Sequence, residues 1–334
     1  MAQPATPEWY ELVREDVVDP NQRIIDPHHH LWPGGGYVTY GLDELKADVH
    51  SGHRVEHTVF VQCHASYRTD GPSYLMPVGE TEFVAQTAAG DPEHLIAGIV
   101  ARIDLADTEH LDEAFEAHLE ASDGLLRGIR DAAASEPFPD GIMLAGGRGA
   151  AGRYEDPAFR AGVAALGRRG LAYDAWHFHH QNREFAALAR AVPDTTMVLD
   201  HFGTPLGAGV YAGHREEIFD QWKLDIAEIA ACENVVAKLG GLAMPDNGFG
   251  FDTAERPPTS DEFVALQGRY YDHAIECFTP RRCMFESNFP VDRSSLSYRV
   301  LWNALKKIAA PYSPSERDDM FFATAARVYN LPTD

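Results

Sequence analysis

The feature that most constrains the fold is a regular alternation of short apolar runs with longer segments of helical period. Eight runs have the length and composition of a strand, and they lie at Ile24–Asp26, Thr58–Gln62, Ile96–Ile103, Leu125–Arg130, Leu171–Trp176, Thr196–Asp200, Val235–Leu239 and Arg282–Phe285. Consecutive parallel strands need a helical crossover between them, which is what the intervening segments offer. The order therefore predicts a distorted (β/α)8 TIM barrel with long βα loops.

The helical segments that complete this pattern are expected near Leu42–Ser51, Glu80–Ala89, Glu109–Ala121, Pro157–Arg168, Asn182–Ala191, Arg215–Ala231, Asp261–Cys277, Ser294–Ala309 and Pro314–Tyr329. An open, doubly wound sheet is the rival architecture. No Gly-x-Gly-x-x-Gly joins an early strand to a helix, so a dinucleotide fold has no positive support and the barrel is favoured. We expect residues 22–331 to form one barrel domain, preceded by an N-terminal extension at 1–21.

The charge balance narrows the class of partner. With 51 acidic and 28 basic residues the formal net charge is −23, which argues against binding to nucleic acid or to anionic membranes. The four cysteines are scattered, no apolar segment precedes the first strand, and no run reaches the length of a membrane span. We therefore expect a cytoplasmic protein that acts on a small molecule, with a homodimer as the default assembly.

The first strand ends in Asp26-Pro27-His28-His29-His30. Side chains alternate along a strand, so Asp26, His28 and His30 are expected on one face. The active site of a (β/α)8 barrel lies at the carboxyl ends of its strands, and two imidazoles there can converge on a metal ion or on a substrate oxygen. A solvated loop with three histidines is the alternative interpretation.

Other strand ends carry side chains suited to the same site. His201 follows strand six, and of His177 and His179 after strand five we prefer His177. Arg130 suits a substrate carboxylate, with a structural ion pair to Asp131 or Asp104 as the alternative. Lys238 on strand seven could stabilise a carboxylate or an oxyanion.

Several of these segments together resemble a known family. They are Asp26-x-His28-x-His30, Gly128-Ile129-Arg130, Leu199-Asp200-His201-x-Gly203-x-Pro205, Lys238-Leu239-Gly240-Gly241-Leu242, Met284-Phe285-Glu286-Ser287-Asn288-Phe289-Pro290 and Ala325-Ala326-Arg327-Val328-Tyr329. In order and spacing they are similar to the amidohydrolase-related branch of the amidohydrolase superfamily, nearest to its 2-pyrone-4,6-dicarboxylate and sugar-acid lactonase group. The resemblance implies a distorted TIM barrel and one divalent metal, such as Zn²⁺, or none. Any metal would be held by His28, His30, His177 and His201.

The sequence departs from the family pattern on strand eight. Members usually read Gly-Ser-Asp-Trp-Pro there, with Asp as metal ligand and base, whereas this chain has Asn288 in that place. An amide cannot take a proton from water near neutral pH. Glu286, which has the same strand parity, and Asp292 are the candidate substitutes. The alternative for Glu286 is a buried ion pair with Lys238 or an arginine.

These observations lead to one assignment of roles and three hypotheses. The catalytic candidates are His28, His30, His201, Glu286 and Asn288, and the substrate-binding candidates are Arg130, Lys238, His177 and Asp292. The leading hypothesis is a hydrolase that opens a lactone on a small carboxylated molecule, with imidazoles polarising the carbonyl. A metal-dependent decarboxylase or hydratase of an aromatic or unsaturated acid is the alternative, and a non-catalytic binding protein is the third hypothesis.

Overall fold

The computed structural model describes residues 6–34, 38–135 and 149–333. Eight strands within this part of the chain pair in parallel and in sequence order, so the predicted (β/α)8 barrel is confirmed. The strands are β1 Arg23–His29, β2 Arg54–Val61, β3 Ile96–Ala101, β4 Leu126–Ile129, β5 Ala172–Ala175, β6 Met197–Leu199, β7 Val235–Leu239 and β8 Cys283–Phe285. Each overlaps the apolar run that predicted it.

Helices follow the strands as the sequence pattern predicts. They are α1 Pro7–Tyr10, α2 Leu42–Val49, α3 Val78–Ala89, α4 Leu111–Ala121, α5 Pro157–Arg168, α6 Asn182–Ala191, α7 Arg215–Ala230, α8 Ser260–Phe278, α9 Tyr298–Ala309, α10 Pro314–Asp318 and α11 Thr324–Val328. The last predicted helix is wrong as a single unit, because a π-helical turn at Asp319–Ala323 separates α10 from α11.

Side-chain caps explain where two of these helices begin. Asp156 accepts a hydrogen bond from the backbone N–H of Ala158 at 2.8 Å, and Pro157 opens α5 with its fixed φ. Thr259 and Glu262 form a capping box at the start of α8. Both starts were visible in the sequence as a capping residue followed by Pro or by Glu.

The barrel closes through an irregular junction between β1 and β8. The backbone N–H of His30 donates to Phe289 O at 2.8 Å, and that of Asn288 donates to His28 O at 3.0 Å. The pairing register of β1 shifts between Asp26 and His29. Below this junction the carboxylate of Asp26 takes the place of a ladder carbonyl, since it accepts from the N–H of Ser287 at 2.9 Å.

This irregularity corrects one expectation about β1. His28 and His30 share a face, with ring centroids 5.0 Å apart, but Asp26 does not lie with them. Its other oxygen accepts a hydrogen bond from Tyr298 of α9, outside the barrel, at 2.9 Å. The shift in register between Asp26 and His29 breaks the strict alternation on which the expectation rested.

Two apolar layers support the barrel. The larger layer packs the outer faces of the strands against the helices. The smaller one fills the barrel interior with residues such as Ile25, Val61 and Val236, and it includes Phe322 and Tyr329 from the end of the chain. Residues 322–331, which we call the closing segment, therefore fill the barrel interior at the end opposite the carboxyl ends of the strands. Tyr329 in this segment lies beneath those carboxyl ends.

The described part of the N-terminal extension lies against the barrel. The indole N–H of Trp9 donates to Ala254 O at 3.2 Å, and Glu15 accepts from the backbone N–H of Ser260 at 2.7 Å. The domain bounds at 1–21 and 22–331 stay a prediction. Among the described helices, none has the length and apolar character needed to cross a membrane. The Ala132–Asp156 loop falls partly outside the described residues.

Candidate active site

Seven buried polar or charged side chains meet at the carboxyl ends of the strands, and we call them the central cluster. They are His28 of β1, Arg130 after β4, Asp174 of β5, Asp200 and His201 after β6, Lys238 of β7 and Glu286 after β8. Five of them are site residues predicted from the sequence: His28, Arg130, His201, Lys238 and Glu286. Three carboxylates, two permanent cations and two imidazoles share this space, so the contacts within the cluster decide what it can do.

Glu286 joins the imidazoles of two different strands. The ring N–H at Nδ1 of His201 donates to Oε1 at 2.7 Å, and Oε2 lies 2.8 Å from Nδ1 of His28. This second contact lacks hydrogen-bond alignment, and Oε2 accepts no hydrogen bond from any residue that the structure describes. A Cβ on Gly240 would lie 2.4 Å from Cγ of Glu286, so glycine at that position leaves room for the carboxylate.

Among the described residues, Lys238 forms its ion pairs with Asp174 and Asp200, and not with Glu286. Its Nζ lies 2.6 Å from Oδ2 of Asp174, 3.3 Å from Oδ1 of Asp200 and 3.4 Å from Nδ1 of His28. Burial lowers the pKa of Lys238, but Asp174, Asp200 and Glu286 more than offset that effect, so its pKa lies above the ordinary value. The ammonium therefore stays charged beneath His28.

Arg130 reaches into the cluster from β4. Its Nε donates to Oε1 of Gln62 at 3.2 Å and its Nη2 donates to Gln62 O, while Nη1 lies 3.4 Å from Nε2 of His28 and 3.7 Å from Oδ2 of Asp200. The carboxylate of Asp131 pairs instead with Arg102 and Arg153. The guanidinium of Arg130 is thus held at the site, and Asp131 forms its ion pairs with other arginines.

His30 lies beside the cluster with one ring nitrogen committed. Nδ1 is 2.8 Å from Val61 O, and because a carbonyl only accepts, Nδ1 carries the proton. The lone pair of a neutral ring is then on Nε2. Burial, followed by the charge of Arg130, holds the pKa of His30 well below its usual range. His30 is therefore neutral at physiological pH.

An unusual backbone run presents His201. Four consecutive residues, from His201 to Thr204, have left-handed φ values of 53°, 59°, 66° and 42°. Non-glycine residues rarely adopt this region, and such conformations concentrate at functional sites. A Cβ on Gly241 would lie 2.3 Å from Nδ1 of His201, so the two glycines of Lys238-Leu239-Gly240-Gly241-Leu242 accommodate the Glu286–His201 pair.

Burial and the neighbouring Glu286 shift the pKa of His201 in opposite directions. Desolvation lowers the pKa of His201, and the adjacent carboxylates of Glu286 and Asp200 raise it by more, so the net shift is upward. His28 has the opposite balance, since burial and the charge of Lys238 hold its pKa well below the usual range. Of the two imidazoles that Glu286 joins, that of His201 is therefore the more readily protonated.

Asn288 and Asp292 form a pair on the β8 side of the cluster. Nδ2 of Asn288 donates to Oδ1 of Asp292 at 2.8 Å, and Oδ2 accepts from the N–H of Ala243 at 3.1 Å. Burial raises the pKa of Asp292 to about 7. Asp292 thus has protein donors on both oxygens, and its role as a substrate ligand stays a prediction, as does the catalytic role of Asn288.

His177 lies away from the cluster contacts. Its Nδ1 is 2.9 Å from the hydroxyl of Tyr154 and its Nε2 is 3.0 Å from Oδ1 of Asn182, so both ring nitrogens already have partners. His179 accepts a hydrogen bond at Nδ1 from the N–H of Leu206. A role for His177 in binding substrate or metal stays a prediction that the structure does not favour.

A divalent cation has a chemically suitable set of ligands here. His28, His201 and Glu286 each offer one ligand atom, and these atoms lie within 4.8 Å of one another. Two imidazoles and one carboxylate match catalytic zinc sites. Both oxygens of Asp200 and Oε2 of Glu286 also lack hydrogen-bond donors among the described residues. The set fits a metal, with the Lys238 ammonium 3.4 Å from His28 as its neighbour.

Three contributors were not predicted as site residues, and one of them, Asp200, appeared only within the family motif at the end of strand six. Asp174 was read only as part of an apolar strand, although a charged residue inside a buried strand is itself a signal of a polar partner. Tyr329 appeared only as the last residue of a family motif, and its hydroxyl donates to Asp174 at 2.7 Å. The local sequence does not predict that contact, since it joins residues 155 positions apart.

Comparison with known proteins identifies the family. The amidohydrolase family profile matches residues 25–331, so the chain belongs to the amidohydrolase family and is an enzyme of that superfamily. The uncharacterized protein y4mH of Sinorhizobium fredii is 30% identical over 92% of this chain and 98% of its own length. These matches confirm the family resemblance found in the sequence.

Two further relatives bear on the lactonase group. An L-fucono-1,5-lactonase of Burkholderia multivorans is 25% identical over 92% of this chain and 96% of its own length. An amidohydrolase of Burkholderia multivorans, solved with bound zinc, is 26% identical over 92% of this chain and 99% of its own, with a TM-score of 0.73.

Proposed function

We propose that this protein is a hydrolase that opens a lactone on a small carboxylated substrate. The observation that carries the proposal is the pair of imidazoles at the barrel mouth, each with its Nδ1 fixed and its Nε2 without a hydrogen bond among the described residues. His30 has its Nδ1 on a backbone carbonyl and His201 has its Nδ1 on Glu286. The two contacts prepare the rings for opposite tasks.

His30 serves as the general base. A carbonyl partner leaves the ring neutral, so Nε2 can take a proton from water as the water attacks the lactone carbonyl carbon. The C=O π pair moves to oxygen, and Arg130, held by Gln62, stabilises the resulting oxyanion or the substrate carboxylate. The similarity to an L-fucono-1,5-lactonase supports the choice of a cyclic ester.

His201 serves as the general acid. The carboxylate of Glu286, 2.7 Å from Nδ1, stabilises the imidazolium, so Nε2–H can donate to the ring oxygen as the C–O bond breaks. The tetrahedral intermediate collapses to a carboxylic acid and a free hydroxyl. The acid then ionises and its proton restores the His201 imidazolium by way of solvent, while the proton taken by His30 is released, so opening one lactone yields a hydroxy carboxylate and one proton. A divalent cation bound by His28, His201 and Glu286 would polarise the carbonyl and acidify water, and it would occupy the lone pair of His201, so the acid role of His201 applies to the metal-free protein.

The test is a panel of sugar-acid and dicarboxylate lactones assayed by a pH indicator, with metal analysis of the same preparation before and after a chelator. We expect acid release from at least one lactone, and about a 100-fold loss of kcat in His30→Asn and in His201→Asn. Release of carbon dioxide from aromatic acids, without lactone opening, would contradict the proposal and favour the decarboxylase alternative.

A further inference from the structure

The end of the chain reaches the active site from below. After α11, Tyr329 enters the inner apolar layer of the barrel, where it is buried. Its hydroxyl donates to Oδ2 of Asp174 at 2.7 Å. Its ring lies under Lys238, whose Nζ is 5.2 Å from the ring centroid. Tyr329 thus contacts both members of a buried ion pair that belongs to the central cluster.

The same oxygen of Asp174 also binds the lysine. Nζ of Lys238 donates to Oδ2 at 2.6 Å and lies close to Asp200 and His28 at 3.3 and 3.4 Å. Of the three N–H donors of the ammonium, two have partners in Asp174 and His28, and Asp200 lies within ion-pair distance. The contacts form a continuous chain from Tyr329 through Asp174 and Lys238 to His28.

A buried ion pair alone is a weak explanation of this arrangement. Desolvation of two charges costs as much as their attraction returns, so apolar residues of similar volume usually stabilise a core as well. The interior of this barrel is otherwise apolar below the cluster, with Val198, Val236 and Met284 as neighbours in the same layer. The position of the pair, directly beneath His28, is what suggests a functional use.

We propose that Asp174 and Tyr329 are positioning residues that hold the Lys238 ammonium beneath His28 and Asp200, so that the closing segment of the chain sets the geometry of the active site. This inference rests on the proposed function for its activity readout. Without the Tyr329 hydroxyl, Oδ2 of Asp174 loses one of its two donors, the one that ties the ion pair to the closing segment, and the pair can move toward Asp200.

The effect should fall on turnover and not on substrate binding. Arg130 is held independently by two contacts to Gln62, so the group that receives substrate keeps its place. His28 and Asp200, which Lys238 touches, would shift. We expect Tyr329→Phe to lower kcat about 10-fold while KM changes by less than about 2-fold.

Tyr298→Phe is the matched control. Tyr298 is equally buried, and its hydroxyl also donates to a buried carboxylate, that of Asp26, at 2.9 Å. Asp26 is held by the backbone of Ser287 instead of by an ammonium. Both variants keep the aromatic ring and should lose similar thermal stability. Only Tyr329→Phe should lower kcat, and Asp174→Asn should lower it further.

A second readout does not depend on activity. The chain has five lysines, so a protein carrying nitrogen-labelled lysine side chains gives a simple ammonium spectrum. The signal of Lys238 is assigned by its loss in Lys238→Met. We expect this signal to shift or broaden in Tyr329→Phe and in Asp174→Asn, and to stay in place in Tyr298→Phe.

The two readouts separate the inference from the proposed function. If the wild-type protein opens no lactone, the proposed function fails, and the Lys238 signal still decides the positioning role. An unchanged Lys238 signal in Tyr329→Phe overturns the inference whatever the activity. An unchanged kcat in that variant, with an active wild type, overturns it as well.

Discussion

Replacing Gly241 by alanine should disable the site through one misplaced carbon atom. Gly241 has φ +73°, and the new Cβ would lie 2.3 Å from Nδ1 of His201, whereas ordinary contact begins at 3.4 Å. The ring must therefore retreat by about 1 Å, a displacement that can cost about 100-fold in rate. That retreat would also stretch the 2.7 Å hydrogen bond from His201 to Glu286.

Gly170→Ala is the control that separates the steric clash with His201 from the conformational cost of placing alanine in the left-handed region. Gly170 has nearly the same φ, +69°, but a Cβ there meets no atom within 4 Å. Both variants should lose about 1–2 kcal/mol of unfolding free energy from the left-handed conformation alone. Gly241→Ala should lose a further 1–3 kcal/mol, roughly, from overpacking.

The assay combines urea unfolding with kcat on a lactone substrate. We expect Gly170→Ala to keep wild-type kcat and Gly241→Ala to lose about 100-fold. If Gly241→Ala turns over within about 2-fold of the wild type, the close approach of the β7 loop to His201 has no catalytic importance and the reasoning is refuted.

Three further predictions concern Glu286, a helix cap and acid stability. Glu286→Gln should lower kcat by about 100-fold while Asn288→Asp leaves it within about 3-fold, since Glu286 supports the acid; the reverse order would contradict this assignment. Thr259→Ala should cost about 1 kcal/mol in urea unfolding by removing the capping box of α8, and no loss would contradict the role of the cap. Burial lowers the pKa of His118 from 6.5 to about 4, so the unfolded chain binds its proton first and stability falls as pH drops from 6.5 to 4. At pH 5 this costs about 2 kcal/mol, and His118→Asn should flatten the measured pH dependence by that amount; an unchanged slope would contradict it.

The architecture could be predicted from sequence because its signals are local. Each strand is an apolar run and each long helix has its own period, as at β7, where the predicted and observed bounds coincide at Val235–Leu239. Helix starts such as Asp156-Pro157 are likewise encoded by neighbouring residues. Local periodicity fails at Pro314–Tyr329, where a π-turn interrupts the helix.

Most residues of the site could be predicted from the sequence, whereas the contacts between them could not. His28, His201 and Glu286 could be predicted from their positions at strand ends, because the barrel topology brings those ends together. The pairing of Glu286 with two histidines, in place of Lys238, depends on side chains 85 or more positions apart. The face of Asp26 was wrong because the register shift in β1 reverses the alternation.

The left-handed run at His201–Thr204 had no sequence signal beyond Gly203. Only one of its four residues is the type that favours positive φ. The surrounding barrel must hold the other three in place, and that information lies in the tertiary structure. Such strain is where prediction from sequence is expected to fail and where function is expected to lie.

The most direct test of the central claim is the fate of the attacking oxygen. Lactone opening in water enriched in heavy oxygen, followed by mass spectrometry of the product, shows which bond breaks. Attack at the carbonyl with His30 as base predicts label in the carboxylate, and about a 100-fold slower label uptake in His30→Asn. Label in the hydroxyl group, or unchanged uptake in that variant, would contradict the account.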